Sequence, residues 1–289
     1  MGRKKNIPIG AAVVIVGLLF LQQTGLINID DLTDHSNQQI SSSSSVKRTV
    51  NVKDGVDYGT VSDTHPSESL AKTVLTDDVV RQLNANKVSF NSAGAYIVND
   101  NQTNLNAAVN VAPYVQLAQQ DSLGRPGRAD AFLNRSSREY QSRADTGNAK
   151  TIEPVGWHQS MIGGRYNALY NRGHLIGYAL AGSIRSFDPS EANAQNIATQ
   201  TAWANQASNG NPENTGQNYY ETLVRKALDS NRTVRYRVTP IYIGNDLVPS
   251  GNHMEAKSKD GKLQFNVFIP NVEPGVKIDY ATGESAVVK

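Results

Sequence analysis

Asn171-Arg172-Gly173-His174-Leu175 concentrates more chemically capable groups than any other stretch of this chain. An imidazole is the side chain whose unperturbed charge change falls near neutral pH. The chain has five: His35, His65, His158, His174 and His253. Taken alone, Arg-Gly-His fits a packed or surface histidine as readily as a proton acceptor. Its company sharpens the reading. Asn196-Ile197-Ala198-Thr199-Gln200 follows, then Trp203-Ala204-Asn205-Gln206, then Glu221. Each of these also has a plain alternative. Asn205 could sit on a helix surface, Glu221 could pair with Arg225 one turn on, and Trp203 reads as a core anchor. The chain has no cysteine, which removes disulfides, thiolate catalysis and Cys-based zinc sites together. The spacing of His158, His174 and His253 matches no His-rich metal motif, and no glycine-rich phosphate loop is present.

The order of these motifs resembles the DNA/RNA non-specific endonuclease family, which carries a ββα-metal active site. The stretches Arg172 to Leu175, Gln200 to Gln206, Thr215 to Glu221 and Arg232 to Val238 look most like its membrane-anchored DNA-entry nucleases, over roughly residues 85 to 285. The resemblance implies a sequence-non-specific endonuclease acting on double- and single-stranded DNA and on RNA, leaving 5′-phosphates. It implies that His174 is the general base and that Asn205 is the direct protein ligand of Mg2+, with Mn2+ able to stand in. Glu221 is expected to hold a water of that ion, and Asn196 to orient the His174 region. Arg125 in Leu123-Gly124-Arg125-Pro126 matches the arginine that stabilises the charged phosphorane, although Arg128 lies close by. The division of labour is sound chemistry. A neutral imidazole is a good base near pH 7, and magnesium prefers oxygen ligands and keeps its water. Position 171 departs from the family pattern, with Asn in place of the usual Asp. A rival reading from another class is a surface nucleic-acid receptor that keeps the fold without turnover.

These residues need elements to position them. A helix is expected from Ser67 to Leu83, capped by Ser67, and short strands within Val88 to Val98. Tyr114 to Leu117 is a short apolar run, and Gly124 to Gly127 a turn cluster. A helix from about Gln200 to Ala207 would carry Asn205. A second from Gly216 to Asp229, capped by Thr215, puts Tyr220, Leu223, Val224, Ala227 and Leu228 on one face, with Glu221 at its edge. Thr233 to Pro240 alternates as a strand, Ile241 to Ile243 and Leu263 to Ile269 read similarly, and Asp260-Gly261 is a hairpin turn. His253 follows Pro249 to Asn252, read as a loop. This mixed order predicts an α+β fold with a central antiparallel sheet flanked by helices.

Arg3, Lys4 and Lys5 precede an apolar run from Ile7 to Leu21 with no small-x-small cleavage site after it. That pattern reads as an uncleaved signal anchor over residues 1–28, with the rest of the chain outside the cell. Residues 29–65 are polar, include the Ser41 to Ser45 tract and read as a flexible stalk. Residues 66–289 then form the nuclease domain, tethered to the cell membrane and placed to serve DNA-uptake machinery or to degrade extracellular DNA. The net charge of +2 announces no polyanion partner. Arg165, Arg185, Arg225, Lys226, Arg232, Arg235 and Arg237 make one half basic, either as scattered solubilising charge or as a phosphate-tracking groove.

An anion beside an imidazole favours its charged form. Asn171→Asp should therefore move the acid limb of the activity–pH profile to higher pH, and an unchanged profile would refute the link between this position and the base.

Overall fold

Alternation decides the central sheet. Within the strand Val234–Ile241, Val234, Tyr236 and Val238 are fully buried while Arg235, Arg237 and Thr239 are half-exposed. The sheet therefore has a core face and an outer face. The computed structural model describes residues 50–147 and 149–289. The anchor expected at 1–28 lies outside the described residues, and among these no helix is long and apolar enough to cross a membrane.

In chain order the strands are β1 Val52–Lys53, β2 Val56–Asp57, β3 Val88–Phe90, β4 Tyr96–Val98, β5 Tyr114–Leu117, β6 Ala129–Leu133, β7 Tyr170–His174, β8 Ile197–Thr201, β9 Val234–Ile241, β10 Gly251–Ser258, β11 Gln264–Pro270, β12 Val276–Ile278 and β13 Ser285–Val287. The α-helices are α1 Glu68–Lys72, α2 Asp77–Gln82, α3 Tyr178–Ala181, α4 Ala202–Gln206 and α5 Gln217–Asp229. A seven-stranded sheet runs β3-β4-β11-β10-β9-β6-β5, every neighbour antiparallel. The architecture is α+β, a central antiparallel sheet with few helices. Tyr220, Val224, Ala227 and Leu228 of α5 join Tyr236, Val238 and Phe265 of the sheet in one core. Apart from the sheet, β7 and β8 form an antiparallel pair that runs directly into α4.

Several expectations shift. Residues 52–57, within the stretch read as stalk, form a small hairpin, and Tyr58 packs into the core. The single helix expected over 67–83 is two. Thr76 starts the second by accepting from the Val79 amide, a cap with acids behind it that favours a fresh helix start. Gln200 and Thr201 belong to β8, and only Ala202–Gln206 is helical, with Thr201 as the cap. Thr215 does not cap α5; its amide and hydroxyl both donate to the Ala93 carbonyl. Pro240 and Ile241 stay in one strand with Val234. Residues 251–258 are a central strand rather than a loop, and Asp260-Gly261 falls in the turn that follows it.

The segment after β11 clamps the β8–α4 junction. Asn271 Oδ1 accepts from the Thr201 amide at 2.7 Å, and its Nδ2 donates to the carbonyls of Thr199 and Pro249. The Thr201 hydroxyl donates to the Val272 carbonyl at 2.7 Å, and the Trp203 amide donates to Glu273 Oε2 at 2.8 Å. A free helix amide thus receives a side-chain partner. Glu273 is 1% exposed, and burial pushes its carboxyl up to about 8 against the pull of that amide. A folded-state value raised this way contributes stability that is intact in the ordinary carboxylate range and below, and is lost as pH climbs through about 8. Glu273→Gln keeps an acceptor for Trp203. Its unfolding free energy from urea titration should match the parent's near pH 5 and exceed it near pH 9, by on the order of a few kcal/mol.

Candidate active site

Pairing of β7 with β8 sets the site's frame. Asn171 faces Gln200, Gly173 faces Ala198 and His174 faces Ile197. The glycine is required by close approach: a Cβ at Gly173 would run into the Gln200 side chain. Strand alternation puts Asn171 on that same Gly173–Gln200 side and His174 on the other. A carboxylate at 171 would therefore act on the ring across the strand rather than by contact. The Asn171 Nδ2 is buried without a hydrogen-bond partner in the protein.

Just past His174 the chain is held by Asn196, which is fully buried. Its backbone carbonyl accepts from the Leu175 amide at 2.9 Å. Its side-chain Oδ1 accepts from the Ile176 amide at 2.9 Å, and Nδ2 donates to the Ile176 carbonyl at 3.0 Å. Asn196 is thus a positioning residue that grips the backbone leaving β7. It does not line the cleft.

His174, Asn205 and Glu221 do share a cleft, of about 300 Å3, with Arg143, Gly177, Tyr178 and Asn218 also in its wall. His174 sits at the end of β7, Asn205 on α4 and Glu221 one turn into α5. Arg143 Nη2 stands 3.0 Å from His174 Nε2, while Nη1 pairs with the Glu191 carboxylate. The guanidinium also packs over Tyr178, 5.3 Å from the ring centre. The His174 ring is driven down to about 3, first by burial and then by the charge of Arg143, against a hydrogen bond to the Pro189 backbone. It is therefore neutral across the physiological range. Glu221 is pushed above the usual carboxylate value by burial, opposed by the Gln217 hydrogen bond and by the charges of Arg225 and Arg143. Its Oε2 lies 3.7 Å from Arg225 Nη1, so it both pairs along the helix and faces the cleft. Gly177 makes room for it, because a Cβ there would stand 2.9 Å from Glu221 Oε2. Trp203 is fully buried, its indole nitrogen donating to Asn214 Oδ1 at 2.9 Å, and it anchors the helix that presents Asn205.

Arg125 is not among the residues lining this cleft. Its Nε pairs with Asp121 Oδ2 at 2.6 Å, and Nη1 donates to the carbonyls of Gly244 and Asp246 at 2.8 and 2.9 Å. The group also stacks over Tyr242, 4.7 Å from its centre. Arg128, Arg235 and Arg237 all converge on Asp130. Arg235 and Arg237 project from the outer face of the sheet, so alternation removes them from any groove shared with His174. His158 is exposed in an open depression beside Trp157, and His253 is buried with Nε2 2.6 Å from Asn266 Oδ1. The arginine at the imidazole is Arg143, in a turn where nothing in the surrounding Gln141-Ser142-Arg143-Ala144 spacing marks it.

A neutral imidazole, a guanidinium and an amide–carboxylate pair in one cleft suit proton removal from water beside an anion. Among the described residues no group of three or more His, Asp or Glu side chains is placed to hold a metal. A cation here would meet the amide oxygens of Asn205 and Asn218 and the Glu221 carboxylate, and would keep most of its water. Hard divalent ions that dehydrate reluctantly fit that donor set.

The family model for DNA/RNA non-specific endonucleases matches residues 103–260. Two crystal structures of NucA from Streptococcus agalactiae are similar to this chain at 45% identity. The metal-free form covers 76% of this chain and 97% of its own, with a TM-score of 0.67. The form with a magnesium ion bound covers 76% and 96%, with a TM-score of 0.68.

The tethers on Arg125 are backbone and carboxylate groups of its own surroundings. Arg125→Ala should lower the urea unfolding free energy by about 1–3 kcal/mol, and an unchanged midpoint would show that the arginine is not a structural tie.

Proposed function

The chain belongs to the DNA/RNA non-specific endonuclease family and is a nuclease, and on that premise we propose that it hydrolyses phosphodiester bonds of DNA and RNA with a divalent cation, normally Mg2+, and with His174 as general base. The observation that carries this reading is the convergence of His174, Arg143, Asn205 and Glu221 on one cleft. His174 takes the proton of the attacking water while Asn196 holds its strand end in place. Arg143 is charged and beside the ring, where it meets the non-bridging oxygens of the phosphate. An entering phosphate draws that charge onto itself and adds a negative charge nearby. Both effects raise the proton affinity of an imidazole that is otherwise a weak base. Asn205, with Glu221 beside it, would hold the cation, whose positive charge would offset the negative charge of the phosphate and the departing 3′ oxygen. A 5′-phosphate product follows.

The named cleft groups address phosphate and water, none of them a base edge. Low sequence preference is the consequence, and RNA is accepted where no contact excludes the 2′-hydroxyl. The magnesium-bound form of NucA supports the choice of ion. We place the protein at the outer face of the cell membrane, on the strength of the basic and apolar pattern of residues 1–28. Supplying DNA for uptake or clearing extracellular nucleic acid are the roles this setting suits.

Supercoiled plasmid and single-stranded RNA incubated with the protein and Mg2+ should both be cut, and EDTA should stop it. His174→Ala should lose about 10²–10⁴-fold in kcat and Arg143→Ala roughly 10²–10³-fold, with the fold intact by circular dichroism. Parent-like cutting by His174→Ala would overturn the assignment.

A further inference from the structure

One buried amide joins the two halves of the cleft. Gln217, the first residue of α5, is 1% exposed. Its Nε2 donates to the backbone carbonyl of His174 and to Glu221 Oε1, the latter at 3.0 Å. Its Oε1 accepts from Gln200 Nε2 at 3.1 Å and from Asn252 Nδ2 at 2.8 Å. Two N–H groups and two lone pairs are the full capacity of a primary amide, so every position is used.

The arrangement also fixes which way the amide points. The His174 backbone carbonyl can only accept, so the NH2 of Gln217 must face it and the Glu221 carboxylate. That leaves the oxygen of Gln217 for the N–H groups of Gln200 and Asn252. Gln217 and Glu221 are one helical turn apart, the spacing at which side chains meet on a helix face. Gln200 belongs to β8 and Asn252 to β10, so the amide is referenced to both the β7–β8 hairpin and the central sheet.

Resting on the nuclease reading above, we propose that Gln217 is a positioning residue that sets the Glu221 carboxylate against the His174 strand end. A carboxylate free to swing would follow Arg225, its i,i+4 neighbour, and leave the cleft. The Gln217 bond competes with that pull, and the shared His174 contact fixes the carboxylate relative to the base. Outer hydrogen bonds of this kind typically tune activity or ion affinity by about 10- to 100-fold.

The test compares the parent, Gln217→Met, Glu221→Gln and the double variant, with His174→Ala in parallel. Gln217→Met should lower kcat by about 10- to 100-fold with KM for plasmid changed less than about threefold. Its loss should shrink on the Glu221→Gln background, because the group it positions is already altered. Mn2+ titrated into the nucleic-acid-free protein and followed by electron paramagnetic resonance should bind more weakly to Gln217→Met than to the parent. If the Met variant fails to reach the parent's circular dichroism spectrum, Gln217→Asn takes its place. It keeps the amide but is one methylene too short to span both partners, and the same losses are expected. Parent-like kcat and Mn2+ binding, or a loss that multiplies in full with that of Glu221→Gln, would overturn the positioning role. An active His174→Ala would instead overturn the nuclease mechanism itself, so the two failures are distinguishable.

Discussion

The antiparallel pairing of Tyr170–His174 with Ile197–Thr201 is the contact on which the site's geometry depends. It places the imidazole at one strand end and starts the Asn205 helix at the other. A slip of one residue would exchange the sides on which His174 and Asn171 lie. The register is guarded from three directions. Gly173 admits the Gln200 side chain, Asn196 grips the backbone just beyond His174, and Asn271 bonds the Thr199 carbonyl and Thr201 amide. The two asparagines are buried polar side chains on backbone groups, and a buried donor or acceptor left without a partner is costly. The hairpin therefore resists sliding although it stands apart from the large sheet.

Charge in the cleft is arranged around burial. His174 is neutral because imidazolium is poorly solvated there and because Arg143 stands against it. Glu221 is drawn upward by the same burial and downward by two arginines and Gln217. A phosphodiester brings the negative charge that this arrangement lacks, and a hydrated cation brings the positive charge that an amide–carboxylate pair can accept. Groups of opposite tendency confined in a small space respond strongly to such arrivals, since partial desolvation strengthens each interaction.

Parts of this were legible along the chain. The alternation of Val234, Tyr236 and Val238 and the helical stripe of Tyr220, Val224, Ala227 and Leu228 are periodic, and periodicity is local information. The strands that carry the chemistry are not periodic. Ile197–Thr201 is wholly buried yet includes Thr199, Gln200 and Thr201, and Tyr170–His174 is mostly polar. Polar residues buried in a strand erase its pattern, because their partners come from distant segments such as Val155 for Thr199 and Val272 for Thr201. The short α4 begins where Thr201 turns from strand to cap, a boundary that an apolar count cannot locate.

Residue types and motif order by themselves determined the family, the enzyme class and the candidates His174, Asn205 and Glu221, because such chemistry permits few substitutes for an imidazole, an amide oxygen and a carboxylate. Only the tertiary structure decided which arginine meets the imidazole. Along the chain the motif match points to Arg125, with Arg128 as its neighbour, and nothing marks Arg143. Arg125 is consumed by Asp121 and two backbone carbonyls, and Arg143 is carried by the chain path to within 3.0 Å of His174. A long flexible cation takes its role from its neighbours in space, and those neighbours are set by packing rather than by sequence distance.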